Sequence, residues 1–463
     1  MTACRDHTRA ALLRRGVAQA GAGLPSVEAG MPSPAGTGLD RRDFLLRSLG
    51  LALAVYGGTA LAPRAVEEGI AAASASGAAK GRVLVSVFLD GGADSLSMLF
   101  PAEDPLYRRL RPGLALAPSL GQPFGEDPRL RWHPALAPLA TLHGEGKVGV
   151  APGIGYADPN QSHFTSRHFW EVGALDERLV TGWLGRYLDR YGATDNPLQG
   201  LALDWGLQPA LATKRVPVAS IDGPDRFDFW ARGVWGDVEQ RMLEAIGQLG
   251  AIPTHGDSGL AQATGAARQT AQLYRQLAPF RPADGKPKAF GSRVAYPGGD
   301  DAFPRRLAGL AAMLAAGLPL RCVALTAPGA YDTHDGQPDE LAEGLALPAS
   351  SLYAFQRDLE ARGLADRVLV LVWSEFGRRA EQNASNGTDH GAAGAAFVIG
   401  TRAAGTMIGE FPGLARLDPD GNLRATADFR SLYAALVEDW LGGDAEAVLP
   451  GRAPGSRPAV VRA

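Results

Sequence analysis

From Arg82 to Leu441 short apolar runs alternate with longer stretches in which apolar residues recur every three or four positions. Short runs dominated by apolar residues fit a strand buried on both faces. Such runs are Val83 to Leu89, Lys147 to Ala151, Arg321 to Thr326, Val368 to Trp373 and Phe397 to Gly400. The helical period marks His133 to Leu142, weakened by Pro138, then a helix from about Ser162, Arg305 to Ala316, Pro348 to Arg362 and Asp428 to Leu441. Strands separated by helices predict an α/β fold, a three-layer sandwich with a largely parallel central sheet. Between about 200 and 298 the pattern weakens, apart from an amphipathic Gln/Ala-rich helix near Ala261 to Leu277. That stretch is expected to be an insertion or cap on a single domain spanning 80–463.

The strand ends carry the chemistry. In open α/β sheets ligands bind beyond the carboxyl ends of the strands. Here the first run leads into Asp90 and Asp94, and the second into Asn160-Gln161-Ser162-His163. The third leads into Asp332-Thr333-His334-Asp335, the fourth into Ser374-Glu375, and the next loop brings Asp389-His390. Carboxylates mixed with imidazoles suit one or two divalent ions, with zinc, manganese or calcium as the candidates. Two such ions would clamp the attacking and leaving oxygens of a transferred group.

Other features narrow the function. Net charge is -3, and no basic run occurs in the body of the chain, which argues against nucleic acid as a specific partner. The two cysteines, Cys4 and Cys322, are too few for a cysteine-rich metal site. Leu89-Asp90-Gly91-Gly92-Ala93-Asp94 lacks the G-x-G-x-x-G spacing and puts acids where a pyrophosphate would lie, which weakens a nucleotide-binding reading.

Near the start, Arg41-Arg42-Asp43-Phe44-Leu45-Leu46 precedes a weakly apolar stretch, Leu49 to Ala62. A twin arginine before such a stretch is the signature of the twin-arginine (Tat) export pathway. Residues 1–79 are therefore expected to be signal peptide and linker, with Met31 an alternative start and cleavage between Ala65 and Ala79. The apolar stretch is too short and Gly-rich for a stable transmembrane anchor. The expected partner is the Tat machinery, and the expected location periplasmic or secreted.

LDGGADSL, PNQSHFTSRHFW, TGWLGRYLD, YDTHDGQ, SEFGRR and GTDHG together resemble a family of exported bacterial proteins, the domain of unknown function 1501 family. That family is similar in turn to the alkaline phosphatase, sulfatase and phosphoglycerate mutase superfamily. The resemblance implies an alkaline-phosphatase-like fold with a metal centre at the strand ends and an anionic phosphate or sulfate ester as substrate. It implies Asp90, Asp332, His334, Glu375 and His390 as metal ligands, although Asp332 and His334 stand closer together than the superfamily's pair. Phe376 occupies a position where the superfamily has a liganding histidine, which puts the second ion in question. Ser162, at a helix N-terminus, matches the nucleophile, with Ser166 behind it. His163, Arg167 and Arg378 are expected to bind the substrate's oxyanion, with His168 a further candidate. Ser374 is expected to orient Glu375, and Asp389 to orient His390. His133 and His143 read as structural. The alternative reading is a non-catalytic envelope protein that binds a polymer or partner on a degenerate hydrolase fold.

Overall fold

The computed structural model describes residues 81–227, 237–250, 258–282, 290–298, 301–451 and 455–462. The twin-arginine segment and its linker lie outside the described residues. The central strands are β1 (Val83–Phe88), β2 (Val148–Gly155), β3 (Gly200–Leu203), β4 (Ala219–Ile221), β5 (Cys322–Thr326), β6 (Val368–Trp373), β7 (Gly394–Ile399) and β8 (Ala427–Asp428). They form an eight-stranded sheet in the order β8-β2-β7-β6-β1-β5-β3-β4. The sheet is mostly parallel; β7 runs antiparallel to both of its neighbours. Among the described residues no helix is long and apolar enough to cross a membrane.

The chain divides into two compact units. One comprises Arg82–Glu177, Arg293–Leu307 and Leu325–Ala463, and holds every candidate site residue. Its strands β1 and β6 are buried along their whole length, as continuous apolar runs require. Val83 pairs with Val368 and Phe88 with Trp373, so both strands finish at the same level. The Leu89 N–H then bonds the Trp373 carbonyl at 2.8 Å, setting the Asp90-Gly91-Gly92 turn beside Ser374-Glu375. Because β7 is antiparallel, it begins at the edge where β6 ends. The loop that precedes it is thereby delivered to that edge. Gly394 opposes Ile154 near the end of β2, whose continuation leads to helix α1 (His163–Val172). Ala327, just beyond β5, donates to the Phe88 carbonyl at 2.9 Å and brings Asp332 and His334 to the same edge.

Helix α1 turns His163, Ser166, Arg167 and Trp170 inward, the i, i+3, i+4, i+7 face of an amphipathic helix. Trp170 stacks on Trp373 at a centroid distance of 5.4 Å and on Phe429 at 4.5 Å, which fixes the helix over the end of β6. Helix α2 (Gln337–Ala361) begins eleven residues before the Pro348 at which the sequence places its start. Leu341, Leu345, Ala349, Leu352, Phe355 and Leu359 form one buried stripe through the proline, and this apolar face outweighs the missing N–H. The closing segment is an α-helix over Phe429–Ala435, capped by the Asp428 side chain, that loosens into a π-turn over Leu436–Trp440.

The other unit contains Arg178–Ser292 and Ala308–Ala324. It carries β3 and β4 and two helices, Asp237–Leu249 and Ser258–Leu277. The strands Gly200–Leu203 and Ala219–Ile221 lie in the stretch whose sequence pattern is weak. Four and three residues are too few for period-2 alternation to register.

Candidate metal centre

Three imidazoles and one carboxylate meet at the sheet edge. His390 Nε2 is 3.0 Å from His163 Nε2 and 3.0 Å from His334 Nε2. Asp332 Oδ1 stands 3.1 Å from His334 Nε2, 3.2 Å from His390 Nε2 and 3.4 Å from His163 Nε2. Exposure rises across the group, from 3% for His163 through 10% for His390 and 19% for Asp332 to 32% for His334, so solvent reaches it from the His334 side.

The far side of each ring fixes which nitrogen carries the proton. His390 Nδ1 lies 2.8 Å from the Gln161 carbonyl oxygen, which can only accept, so Nδ1 donates. His163 Nδ1 lies 2.7 Å from Glu375 Oε1, and His334 Nδ1 lies 3.2 Å from Asp389 Oδ1. Burial alone would raise the Glu375 carboxyl; the hydrogen bond and charge of His163 outweigh it and hold the group down at about 2, ionised and accepting. Burial likewise opposes ionisation of Asp389, but bonds from Asn383 and His334 keep it below the usual carboxylate range. When the rings are neutral and their Nδ1 atoms donate outward, the Nε2 lone pairs face one another and a carboxylate oxygen, and a proton taken up on an Nε2 is held by Asp332. Acceptors packed this closely repel unless a cation or a shared proton lies among them.

A divalent transition ion fits the set. Ligand atoms about 2.0–2.1 Å from a tetrahedral centre are about 3.3 Å apart. His163 Nε2, Asp332 Oδ1 and His390 Nε2 lie 3.0 to 3.4 Å from one another and fit one ion, while His334 Nε2 stands beside Asp332 and His390. Each ligating imidazole would carry the outer hydrogen bond that metal-bound histidines characteristically make. Imidazole nitrogens with one carboxylate oxygen suit zinc or a similar borderline ion better than calcium, which takes oxygen ligands.

The backbone holds this arrangement tightly. Gly91 has φ +127, and a Cβ there would stand 2.6 Å from the Asp332 amide nitrogen. At Gly387 a Cβ would come within 2.3 Å of the His334 carbonyl, so the loop before His390 passes over the His334 backbone only because that residue is glycine. The Phe376 ring lies 4.8 Å from the ring of His163 and 5.0 Å from that of His390, an apolar wall where a further ligand was sought.

Several sequence-based roles change. His163, expected to bind substrate, is part of the converging group. Glu375, expected to ligate, is fully buried behind His163. Its Oε1 accepts from Gly91 N–H at 3.1 Å, and its Oε2 accepts from Gly92 N–H at 2.9 Å. Ser374 Oγ lies 2.9 Å from Glu375 Oε2 and 2.8 Å from the Leu89 carbonyl oxygen. Arg378, expected to grip an oxyanion, is fully buried and donates inward. Its acceptors are the carbonyls of Gly92 at 2.7 Å, Thr388 at 2.9 Å, Tyr331 at 3.0 Å and Gly91, together with Asp332 Oδ1 at 2.6 Å. Its charge positions the carboxylate. Burial would raise the Asp332 carboxyl, but bonds from the three histidines and the Arg378 charge press it far below the normal range. Asp389 backs His334 and not His390, whose partner is the Gln161 carbonyl.

Asp90 and Arg167 pair with each other at 3.2 Å, outside the converging set, and Arg167 also bonds Glu171 at 2.7 Å. Ser162 sits at the N-cap of α1 without capping it. It lies between Gln161 and His163, both of which are tied to the group. Ser166 is buried, donating to the Glu375 carbonyl at 2.6 Å and accepting from Tyr156 at 2.9 Å, which makes it part of the frame. His168 Nε2 lies 3.2 Å from the Asp176 carbonyl. His133 Nδ1 accepts from Ala135 N–H at 3.1 Å, and His143 stacks on Phe124, both structural. The place of His163 was within reach of the sequence. Seven residues separate it from Trp170, so any helix that buries Trp170 against the sheet also turns His163 inward.

No curated protein matches the chain significantly. Solved structures similar to it include a protein of the alkaline phosphatase superfamily from Vibrio parahaemolyticus, 10% identical over 91% of this chain and 81% of that one, with a TM-score of 0.33. A sulfatase from Pseudoalteromonas sp. is 11% identical over 87% and 78% of the two chains, with a TM-score of 0.31. A phosphonate monoester hydrolase from Silicibacter pomeroyi is 14% identical over 81% and 78%, with a TM-score of 0.29. Likenesses at this level carry no weight for the chemistry of the site. Residues 258–429, which bear Asp332, His334, Glu375, Arg378 and His390, match the family described as a protein of unknown function, DUF1501, so the family resemblance read from the sequence holds for this stretch.

Proposed function

We propose that the chain is an exported hydrolase of phosphate or sulfate esters that uses one divalent ion held by His163, Asp332 and His390, with His334 beside them. The observation that carries the reading is the convergence of His163 Nε2, His390 Nε2 and Asp332 Oδ1, each imidazole fixed from behind. The ion would supply Lewis acidity to an ester oxygen. The remaining work falls to the chain. Arg378 holds Asp332 in place, Phe376 excludes water from one side, and Ser162 offers a hydroxyl beside His163. A second ion is not part of the proposal, because Glu375 and Asp90 are engaged elsewhere. Export rests on Arg41-Arg42 and the apolar stretch after it.

A non-catalytic binding protein is the second reading. Its support is that both arginines expected to hold an oxyanion are engaged by internal acceptors. Metal analysis of the protein purified without chelator, together with an assay on aryl phosphate, aryl phosphodiester and aryl sulfate esters, separates the two. About one ion per chain with turnover abolished in Asp332→Ala supports the hydrolase. A bound ion without turnover of any ester leaves the binding protein. No ion after incubation with zinc or manganese overturns the metal centre.

A further inference from the structure

Glu375 is a fully buried carboxylate two residues beyond the end of β6, and its four partners are unequal. Two are backbone N–H groups, Gly91 and Gly92, which can only donate. One is the Ser374 hydroxyl, and the fourth is His163 Nδ1 at 2.7 Å, the shortest contact of the set. A ring nitrogen facing a carboxylate must carry hydrogen. A neutral His163 is then left with a bare Nε2, and that atom is the one aimed at His390 and Asp332.

We propose that Glu375 is a positioning residue that sets the tautomer of His163, holding hydrogen on Nδ1 so that Nε2 serves as a metal donor. The inference rests on the metal centre proposed above and adds a role for a residue that touches no ligand itself. A merely structural role, anchoring the Gly91-Gly92 turn, is the alternative, and the two part company in Glu375→Gln. The Gly92 N–H and the Ser374 hydroxyl, both 2.9 Å from Oε2, demand an oxygen there, so the glutamine carbonyl takes that place, and the Gly91 N–H, 3.1 Å from Oε1, keeps it as an acceptor at 3.3 Å. Its NH2 then meets His163 Nδ1, which must accept. The ring proton moves to Nε2, and one donor is withdrawn from the centre while the turn keeps its acceptor.

The test is zinc affinity by competition with a chromogenic chelator in the parent, Glu375→Gln, His163→Ala and the double variant. Losing an outer hydrogen-bond partner of a ligand costs about 10- to 100-fold in metal affinity. The expected result is a loss of that size in Glu375→Gln alone and no further loss from it in the His163→Ala background, because its effect passes through that ring. An equal loss in both backgrounds, or none in either, overturns the proposal. The second measurement is nitrogen-15 NMR of the zinc-free protein at about pH 10. That lies above the value of about 9 to which His163 rises, where burial is outweighed by bonds to Asp332 and Glu375. The parent is expected to show hydrogen on Nδ1 and Glu375→Gln hydrogen on Nε2; the same tautomer in both sinks the idea. Should the parent bind no zinc, the metal reading falls, and the NMR result still decides the positioning role. Thermal unfolding of each variant confirms that it folds.

Discussion

Two polar clusters lie in the same unit, one fully buried and one open to solvent at His334, and they are balanced differently. In the first, Asp94 is completely buried against Arg111. Arg111 also donates to the Ala380 carbonyl at 2.9 Å, and Gln337 donates to Asp94 at 2.6 Å while accepting from Thr333 at 3.0 Å and Thr388 at 2.6 Å. Every strong donor there meets an acceptor. In the second cluster, His163, His334, His390 and Asp332 present acceptor to acceptor. A balanced buried network specifies structure, and a surplus of one kind marks a place for something that is not part of the chain. The two are linked, since Thr333 precedes His334 and Thr388 lies two residues before His390. The first network holds the loops that bear the second.

That contrast can be broken by mutation, and the largest effect belongs to the balanced cluster. Asp94→Ala leaves the Arg111 guanidinium buried without its counter-ion and is expected to cost about 3–5 kcal/mol in denaturant unfolding, while the folded fraction still binds about one zinc. His390→Ala should do the reverse. Zinc affinity falls by about 100-fold or more, and the zinc-free protein unfolds no more easily than the parent, because a repelling acceptor has been removed. Similar destabilisation by both variants would show that the two clusters do not differ in kind. His334→Ala is expected to weaken zinc by a smaller factor, about 10-fold, since that ring is the most exposed of the three and leans on a half-exposed Asp389.

The smallest effects are those of pH, and they too separate the clusters. Burial opposes the Asp94 charge, but Arg111 and the surrounding bonds depress its carboxyl below the ordinary value. Its contribution is therefore present above the unfolded value of about 3.9 and is lost as pH falls through the lower folded value. The stability gap between the parent and Asp94→Asn should stay level from neutral pH to about pH 5 and close only below about pH 4. Zinc binding should weaken at higher pH than that, because protons compete with the ion for His163, whose value is pushed up to about 9 by its bonds to Asp332 and Glu375. If unfolding and zinc release track each other with pH, the division of labour fails.

What could be read from the chain followed from periodicity and from the ends of elements. Val368 to Trp373 is a strand in the sequence and in the fold, because six apolar residues in succession leave no other way to bury two faces. The rule that ligands gather beyond strand ends points from the sequence to the edge where Asp332, His334 and His390 lie. The short strands Gly200–Leu203 and Ala219–Ile221 were not legible, being pairing partners chosen by the sheet and not by their own pattern.

Within the site, the residue types that can carry metal chemistry were written in the sequence, but their order of contact was not. Glu375 and His163 differ by 212 positions, and nothing local says which of them faces the ion and which stands behind. Only the register of β1 against β6, which sets the Gly91 and Gly92 N–H groups against Glu375, turns that carboxylate away from the centre and His163 toward it. The same holds for Arg378, whose sequence neighbours suggest a surface charge until the loops from three strands close around it and offer it carbonyls. A sequence determines which groups are able to donate and accept. Which of them face one another is settled by long-range packing, because hydrogen-bond partners hundreds of residues apart are chosen by backbone register and not by local pattern.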